Sequence, residues 1–242
     1  MGRVIMSGIV PTLKAPVTGV LASRLAVGST VKLMEGGTAV EYLVVNQGIP
    51  SNSDLYDASC NGTWLLRKDC HSKGRWNRLD ENEYASSVIN TWLNGDFFNS
   101  LGSVEQSVIK QVKIPYCVGN LTSTINSGTN GLSVKAFLLG GYEVGFTIDD
   151  DNELPKDGAK LDYFILGTGG NAKRISYLDG NAVYWWLRSP QWSTVNLVFH
   201  VKATGGLINK DPTSSNDGIR PALVLPGNAL FDETTMLLKG VK

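Results

Sequence analysis

The chain has no net charge, since 22 Lys and Arg balance 22 Asp and Glu. That balance leaves no field to draw it to nucleic acid or to an anionic membrane, so neither partner is expected. No segment approaches the roughly 20 consecutive apolar residues of a membrane-spanning helix, so insertion into a bilayer is not expected either. The N-terminus lacks the basic start and unbroken apolar core of a secretory signal. Histidine is scarce: His71 and His200 are the only two. Neither sits in a nucleophile-elbow or protease-like context, and the usual parts of a Ser-His-acid or Cys-His unit are missing. The expectation is a protein without catalytic residues and not an enzyme. Cysteine is equally sparse. Cys60, Cys70 and Cys117 form no C-x-x-C pair, which leaves three reduced structural thiols, or one disulfide with an odd thiol left over.

What is present is turn chemistry. The 27 glycines, with many Asn, Ser and Thr, imply a loop-rich chain, because Gly and Asn tolerate positive φ. Residues 1–28 are apolar but broken by Pro11, Pro16, Gly8 and Gly19. They read as an N-terminal arm or linker that packs on the domain or on a neighbouring subunit, and residues 29–242 as the domain. Val31–Met34 and Val40–Val45 read as a hairpin around Glu35-Gly36-Gly37-Thr38, and Trp64–Lys68 as a third strand. Tyr84, Val88, Ile89, Trp92 and Leu93 share one face at helical spacing, which predicts a helix over 83–94 capped by Asn82. A second helix is predicted over 104–111, opened by Ser103 with Gln106 three residues on. After Pro115 the pattern predicts short strands at 134–139, 184–187, 197–201 and 222–225. The loops 120–131, 149–158 and 167–173 fill the rest, with little regular structure. The fold class expected is α+β: two helices packed on small twisted antiparallel sheets, with a loop-rich C-terminal half.

Two polar segments resemble ligand loops only superficially. The acidic run Asp149–Glu153 lacks the alternating ligands of a helix-flanked calcium loop and has Leu154 where a glycine is needed, so it reads as a solvated loop. Gly167–Gly170 has no following Lys-Ser/Thr and opens no helix, so it is not a phosphate cradle. No metal and no cofactor are expected.

The informative segments are Tyr184-Trp185-Trp186-Leu187-Arg188-Ser189-Pro190 and Gly218-Ile219-Arg220-Pro221-Ala222-Leu223-Val224-Leu225-Pro226. Trp64, Trp92, Trp185 and Trp186 are expected to be largely buried anchors. Arg188 and Arg220 are expected to clamp loop carbonyls or carboxylates with their planar forks. Together with Trp64–Asp69 and Trp92-Leu93-Asn94, these segments resemble a domain family of uncharacterised function common in Firmicutes and their phages, over roughly residues 26–227. That family in turn resembles the C-type-lectin-like fold of formylglycine-generating enzymes and of the variable proteins of diversity-generating retroelements. The resemblance implies a C-type-lectin-like ligand-binding domain in which the stretch between the two C-terminal motifs carries hypervariable ligand contacts. The enzyme branch needs a late cysteine pair, and no cysteine follows Cys117 here.

Between those motifs, residues 191–217 mix aromatics with small polar residues, the composition of adaptable binding surfaces. The candidate ligand contacts are Gln191, Trp192, Ser193, Thr194, Asn196, Phe199, His200, Lys202 and Lys210. Period-two alternation turns Leu197, Phe199 and Val201 inward and Val198, His200 and Lys202 outward, which leaves Phe199 between core and contact. The loops 120–131 and 149–158 are the next candidates. The function expected is receptor binding or adhesion on a virion or extracellular surface, by assembly into a phage particle released by lysis. The alternative is a structural virion or cell-surface component without a variable ligand. The expected partner is a host or cell-surface protein or glycan, and a homotrimer would suit an apolar N-terminal arm.

Overall fold

The structure is a computed structural model that describes residues 18–51, 53–147, 153–165 and 170–242. It is built mainly of strands. One five-stranded antiparallel sheet has the order Ala136–Phe137, Ala222–Leu225, Thr63–Arg67, Thr38–Gln47, Thr30–Glu35. The alternating burial of Val31, Leu33 and Glu35 seats one face of its last strand on the core. Gly36 and Gly37 both have positive φ (53° and 82°), which lets a two-residue turn close the hairpin at Glu35 and Thr38.

A second five-stranded sheet has the order Leu207–Lys210, Val198–Val201, Trp185–Pro190, Asp217–Ile219, Ser72–Gly74. Its pairs are antiparallel except that Trp185–Pro190 and Asp217–Ile219 run parallel. A three-stranded sheet joins Val20–Leu21 to Ala229–Phe231 and Leu238–Val241. Residues 1–17 of the expected arm lie outside the described residues. Its remainder carries the strand Val20–Leu21 and the buried Ala22.

The expected α+β, C-type-lectin-like arrangement is overturned. Among the described residues the molecule is mostly sheet, one helix of 13 residues is the main helical element, and no two helices pack on the sheets. That helix spans 88–100, as Val88–Trp92, a π-helical Leu93–Phe97 and Phe98–Ser100. Its cap is Ser87, whose hydroxyl accepts from the amide of Asn90 at 3.2 Å, so the helix starts later than Asn82 and runs past Asn94. The second predicted helix shrinks to the six residues Ser103–Val108. Gly102 takes the cap position with no side-chain bond, and the Gln106 amide turns to the carbonyls of Asn99 and Leu101 instead of completing a capping box.

The region after Pro115 also departs from expectation. Tyr116–Gly119 pairs with Thr122–Asn126, and Ser176–Leu178 with Asn181–Val183. Asn120 and Leu121 in one turn, and Asp179 and Gly180 in the other, adopt the positive φ that closes them. Part of the predicted loop 120–131 is therefore hairpin, and 176–183 forms a second hairpin that the sequence pattern does not predict. Of the predicted loops at 149–158 and 167–173, residues 149–152 and 167–169 lie outside the described residues.

Trp64, Trp76, Trp185 and Trp186 are fully buried and Trp92 is half-buried. Each buried indole N–H donates to a main-chain carbonyl, those of Cys60, Leu187, Arg174 and Gly74 respectively, at 2.8–3.0 Å. Each indole thereby ties one segment of chain to another while its ring fills the core. The three cysteines are buried and free, with no disulfide among them. Among the described residues no helix is long and apolar enough to cross a membrane.

Candidate functional site

Three loops meet at one buried side chain. Asn82 is fully buried, and its amide nitrogen donates to the carbonyls of Gln191 (3.0 Å), Thr194 (3.0 Å) and Leu197 (3.2 Å). Its amide oxygen accepts from the main-chain N–H of Asn120 at 2.8 Å. One side chain from the 77–82 segment thus fixes both the 191–197 connection and the 119–122 turn. The space is tight: a β-carbon on Gly119 would lie 2.7 Å from the Asn82 Oδ1. Further bonds close the junction, from Leu121 N–H to Thr194 O at 3.4 Å and from Asn196 Nδ2 to Asp80 Oδ2 at 3.0 Å.

On this fixed base stand exposed apolar side chains, Leu79, Leu121 and Val195. Leu121 is 65% exposed and holds φ at 66°. A branched L-residue pays about 1–2 kcal/mol for that conformation, with no burial here to offset it.

The predicted contact residues divide. Gln191, Trp192, Ser193, Thr194 and Asn196 lie in the clamped connection and are each partly exposed. Gln191 bridges Asn209 (2.6 Å) and Glu153 (2.8 Å), and Ser193 also donates to Glu153. Lys202 is half-exposed at the head of the turn that precedes Leu207–Lys210. Phe199 and His200, by contrast, are buried. All four residues of Val198–Val201 are buried, because strands flank it on both sides in the sheet and both its faces are covered. The outward placement expected of Val198 and His200 is therefore wrong, and Phe199 belongs to the core.

His200 forms a second, inner cluster. Its ring lies between Tyr184 and Trp186, with centroids 5.3 and 5.4 Å away. Its Nδ1 is 3.2 Å from Asp217 Oδ2, in poor hydrogen-bond alignment, and the Lys210 Nζ is 3.2 Å from the same oxygen. Burial works to raise the Asp217 pKa, but His200 and Lys210 outweigh it and hold the carboxyl below its ordinary range. The imidazole is only 3% exposed, so it serves as a packed wedge and not as a base open to substrate.

Arg188 and Arg220 are both buried. Arg188 donates to the carbonyls of Pro115, Leu138 and Asp157 and, with both terminal nitrogens, to Glu143. Tyr56 and the amide of Gly140 also donate to that carboxylate, at 2.9 Å each. Burial opposes the Arg188 charge, yet Glu143 and Asp157 hold its pKa above the ordinary value. Arg220 donates to the carbonyls of Arg67 and Lys68 and lies 5.0 Å from the Trp185 ring, while its buried Nη1 has no partner among the described residues. Among the described residues no group of three or more His, Cys, Asp or Glu is placed to hold a metal ion.

Sequence reasoning missed three central residues. Asn82 passes for a helix cap in sequence, and nothing local reveals that three of its four partners lie more than 100 residues away. Glu143 is a lone acid between glycines, and nothing local reveals that its partner is Arg188, 45 residues on. Asp217 is one more polar residue in a polar stretch, and only the pairing of its strand with Ser72–Gly74 shows that it is buried.

No curated protein and no solved structure matches the chain significantly. One family model, described as a domain of unknown function (DUF6273), matches residues 61–227. The matched span contains all three loops of the Asn82 junction, Arg188 and Arg220, and leaves out the hairpin of Thr30–Glu35 and Thr38–Gln47. With more than half of its length inside that match, the chain belongs to the DUF6273 family.

Proposed function

We propose that this protein is a non-enzymatic ligand-binding domain, receptor-binding or adhesin-like, that acts on a virion or extracellular surface. Its contact surface is the three-loop junction, where Trp192, Ser193 and Asn196 stand beside Leu79, Leu121 and Val195. The observation that carries the reading is Leu121, an exposed apolar side chain held at positive φ by a turn that the buried Asn82 fixes in place. Strain of this kind persists where the surroundings impose it, and it clusters at sites of function. A junction ordered in advance also loses less freedom when a partner binds. Aromatic, apolar and small polar groups on a rigid base suit a protein or a glycan on a cell surface.

The buried positions argue for a fixed surface over a diversified one. Phe199 and His200 are core residues, and Gln191 is bonded on two sides, so free variation there would disturb the fold. Among the predicted contacts, Trp192, Ser193, Thr194, Asn196 and Lys202 remain as the solvent-facing set, with Lys210 at the margin.

The test is binding of the full chain to intact bacterial cells and to arrayed cell-surface glycans, beside Leu121→Asn and Trp192→Ala/Asn196→Ala variants. Asparagine tolerates positive φ, so Leu121→Asn should melt no lower than the wild type. Both variants are expected to lose most of the binding. Undiminished binding by both folded variants, or no binding by the wild type, would overturn the assignment.

A further inference from the structure

Away from the junction, the helix Val88–Trp92 and the strand Ser72–Gly74 leave a cleft of about 380 Å³ between them. Its walls are apolar, with Val88, Ile89 and Trp92 on the helix side and Ile219 from the neighbouring strand. Gly74 lines it without a side chain, and a β-carbon there would lie 2.9 Å from Ile219 Cδ1 and push that wall inward. Lys73 and Arg75 stand exposed at the rim, neither pairs with an acid among the described residues, and no carboxylate lines the cleft. At its end the His71 ring packs edge-on against Trp92 and Phe97, at 5.1 and 5.6 Å. Burial first, and Arg67 second, hold the His71 pKa below its usual value, so near neutral pH it offers a hydrogen-bonding nitrogen and not a third charge.

We propose that this cleft binds a small amphipathic carboxylate, with its flat apolar body against Trp92 and Ile219 and its anionic head between Lys73 and Arg75. The volume lies at the lower end of the range for small-ligand sites, roughly 300–1,000 Å³, which suits one fused-ring or medium-chain acid. Charge complementarity selects the class, because an apolar slot closed by two cations rejects a cation and gains little from a neutral body. The cleft shares no residue with the Asn82 junction, so it stands or falls separately from the proposed surface function.

Isothermal titration of the full chain with 1-naphthoate tests this, with 1-naphthylmethanol as the neutral analogue. The expected result is saturable one-to-one binding, at least tenfold weaker for the alcohol and for Lys73→Glu/Arg75→Glu. Both rim residues are exposed, so that variant should keep the wild-type melting temperature. A second readout on the wild type, the indole N–H resonance of Trp92, should shift on titration. No saturable binding, equal affinity for the alcohol, or shifts confined to other indoles would each overturn the proposal. So would undiminished binding by the folded double variant.

Discussion

Arg188 and Glu143 meet fork to fork at the centre of the molecule, at 2.5 and 2.8 Å, with neither side chain exposed to solvent. The pair joins the strand Trp185–Pro190 to the segment after Leu139, and Tyr56 ties a third part of the chain to the same carboxylate. Glu143→Gln leaves the buried Arg188 charge with only Asp157, 3.9 Å away, and Arg188→Met leaves the buried Glu143 without its cation. Each single change is expected to cost about 3–5 kcal/mol. The double change Arg188→Met/Glu143→Leu should cost less than the sum of the two, since it removes both charges. Urea denaturation of the three variants measures this, and additive losses would show that the two side chains act separately.

Two buried carboxyls should give stability opposite pH dependences. Burial pushes the Asp157 pKa up to about 6, even though Arg188 lowers it, whereas Asp217 is held below its ordinary value. With its folded pKa raised, Asp157 contributes stability that is complete below the unfolded value near 3.9 and lost as pH rises through about 6. Asp217 contributes stability above its unfolded value, lost as pH falls through its lower folded value. Asp157→Asn should therefore flatten the decline between about pH 4 and 6. Asp217→Asn should remove an acid-side loss at lower pH. Thermal melts from pH 3 to 8 separate the two, and unchanged profiles in both variants would refute the assignments.

Asn82→Ala unties the loop junction. The Gln191, Thr194 and Leu197 carbonyls and the Asn120 amide lose their shared partner, which is expected to cost about 1–3 kcal/mol. Amide hydrogen exchange should accelerate at Asn120 while the hairpin 30–47 stays protected. Uniform acceleration across the chain would mean that Asn82 supports the whole fold and not this junction alone.

His200→Ala should act on stability. Removing a ring wedged between Tyr184 and Trp186 is expected to cost about 2–4 kcal/mol by cavity formation, while Asp217 keeps Lys210 as its partner. A variant that melts normally but no longer binds cells would return His200 to the contact surface.

The thiols should be inert in the native state. Burial first pushes Cys60 and Cys117 up to about 12, and Cys70 is also raised. An aromatic disulfide reagent at pH 8 should label none of them until the protein is denatured. Rapid labelling of any one under native conditions would contradict its burial.

The readable parts of this fold are those whose causes are local. The hairpin around Gly36-Gly37 follows from alternation and two glycines, and the buried tryptophans at 64, 185 and 186 from sheer apolar size. The 83–94 helix is half legible: its apolar face is real, but the expected cap Asn82 is taken up by distant carbonyls and Ser87 caps the helix instead. Val198–Val201 misleads for a similar reason. Alternation marks a strand with one wet face, whereas this one lies inside a sheet covered on both faces, so His200 is buried beside Asp217. Five of the expected contacts, Gln191 to Thr194 and Asn196, fall on the clamped connection because turn-rich polar sequence does mark loops. What orders that connection comes from residues 82 and 120, which no window around it contains.

The strand Ala222–Leu225 lies inside the first sheet, between Thr63–Arg67 and Ala136–Phe137, and not at its edge. During synthesis the hairpin 30–47 and the strand beside it therefore emerge long before their neighbour exists. The strand Thr63–Arg67 must wait, with one side unpaired, until some 150 further residues have been added. An unpaired strand with the apolar run Trp64-Leu65-Leu66 in a nascent chain invites pairing with other chains. Ribosome stalling or premature termination before residue 222 should for that reason yield aggregates instead of a smaller folded domain. Assembly of the two halves is then a single late event, governed by when the chain is finished and not by how fast its first hairpin forms.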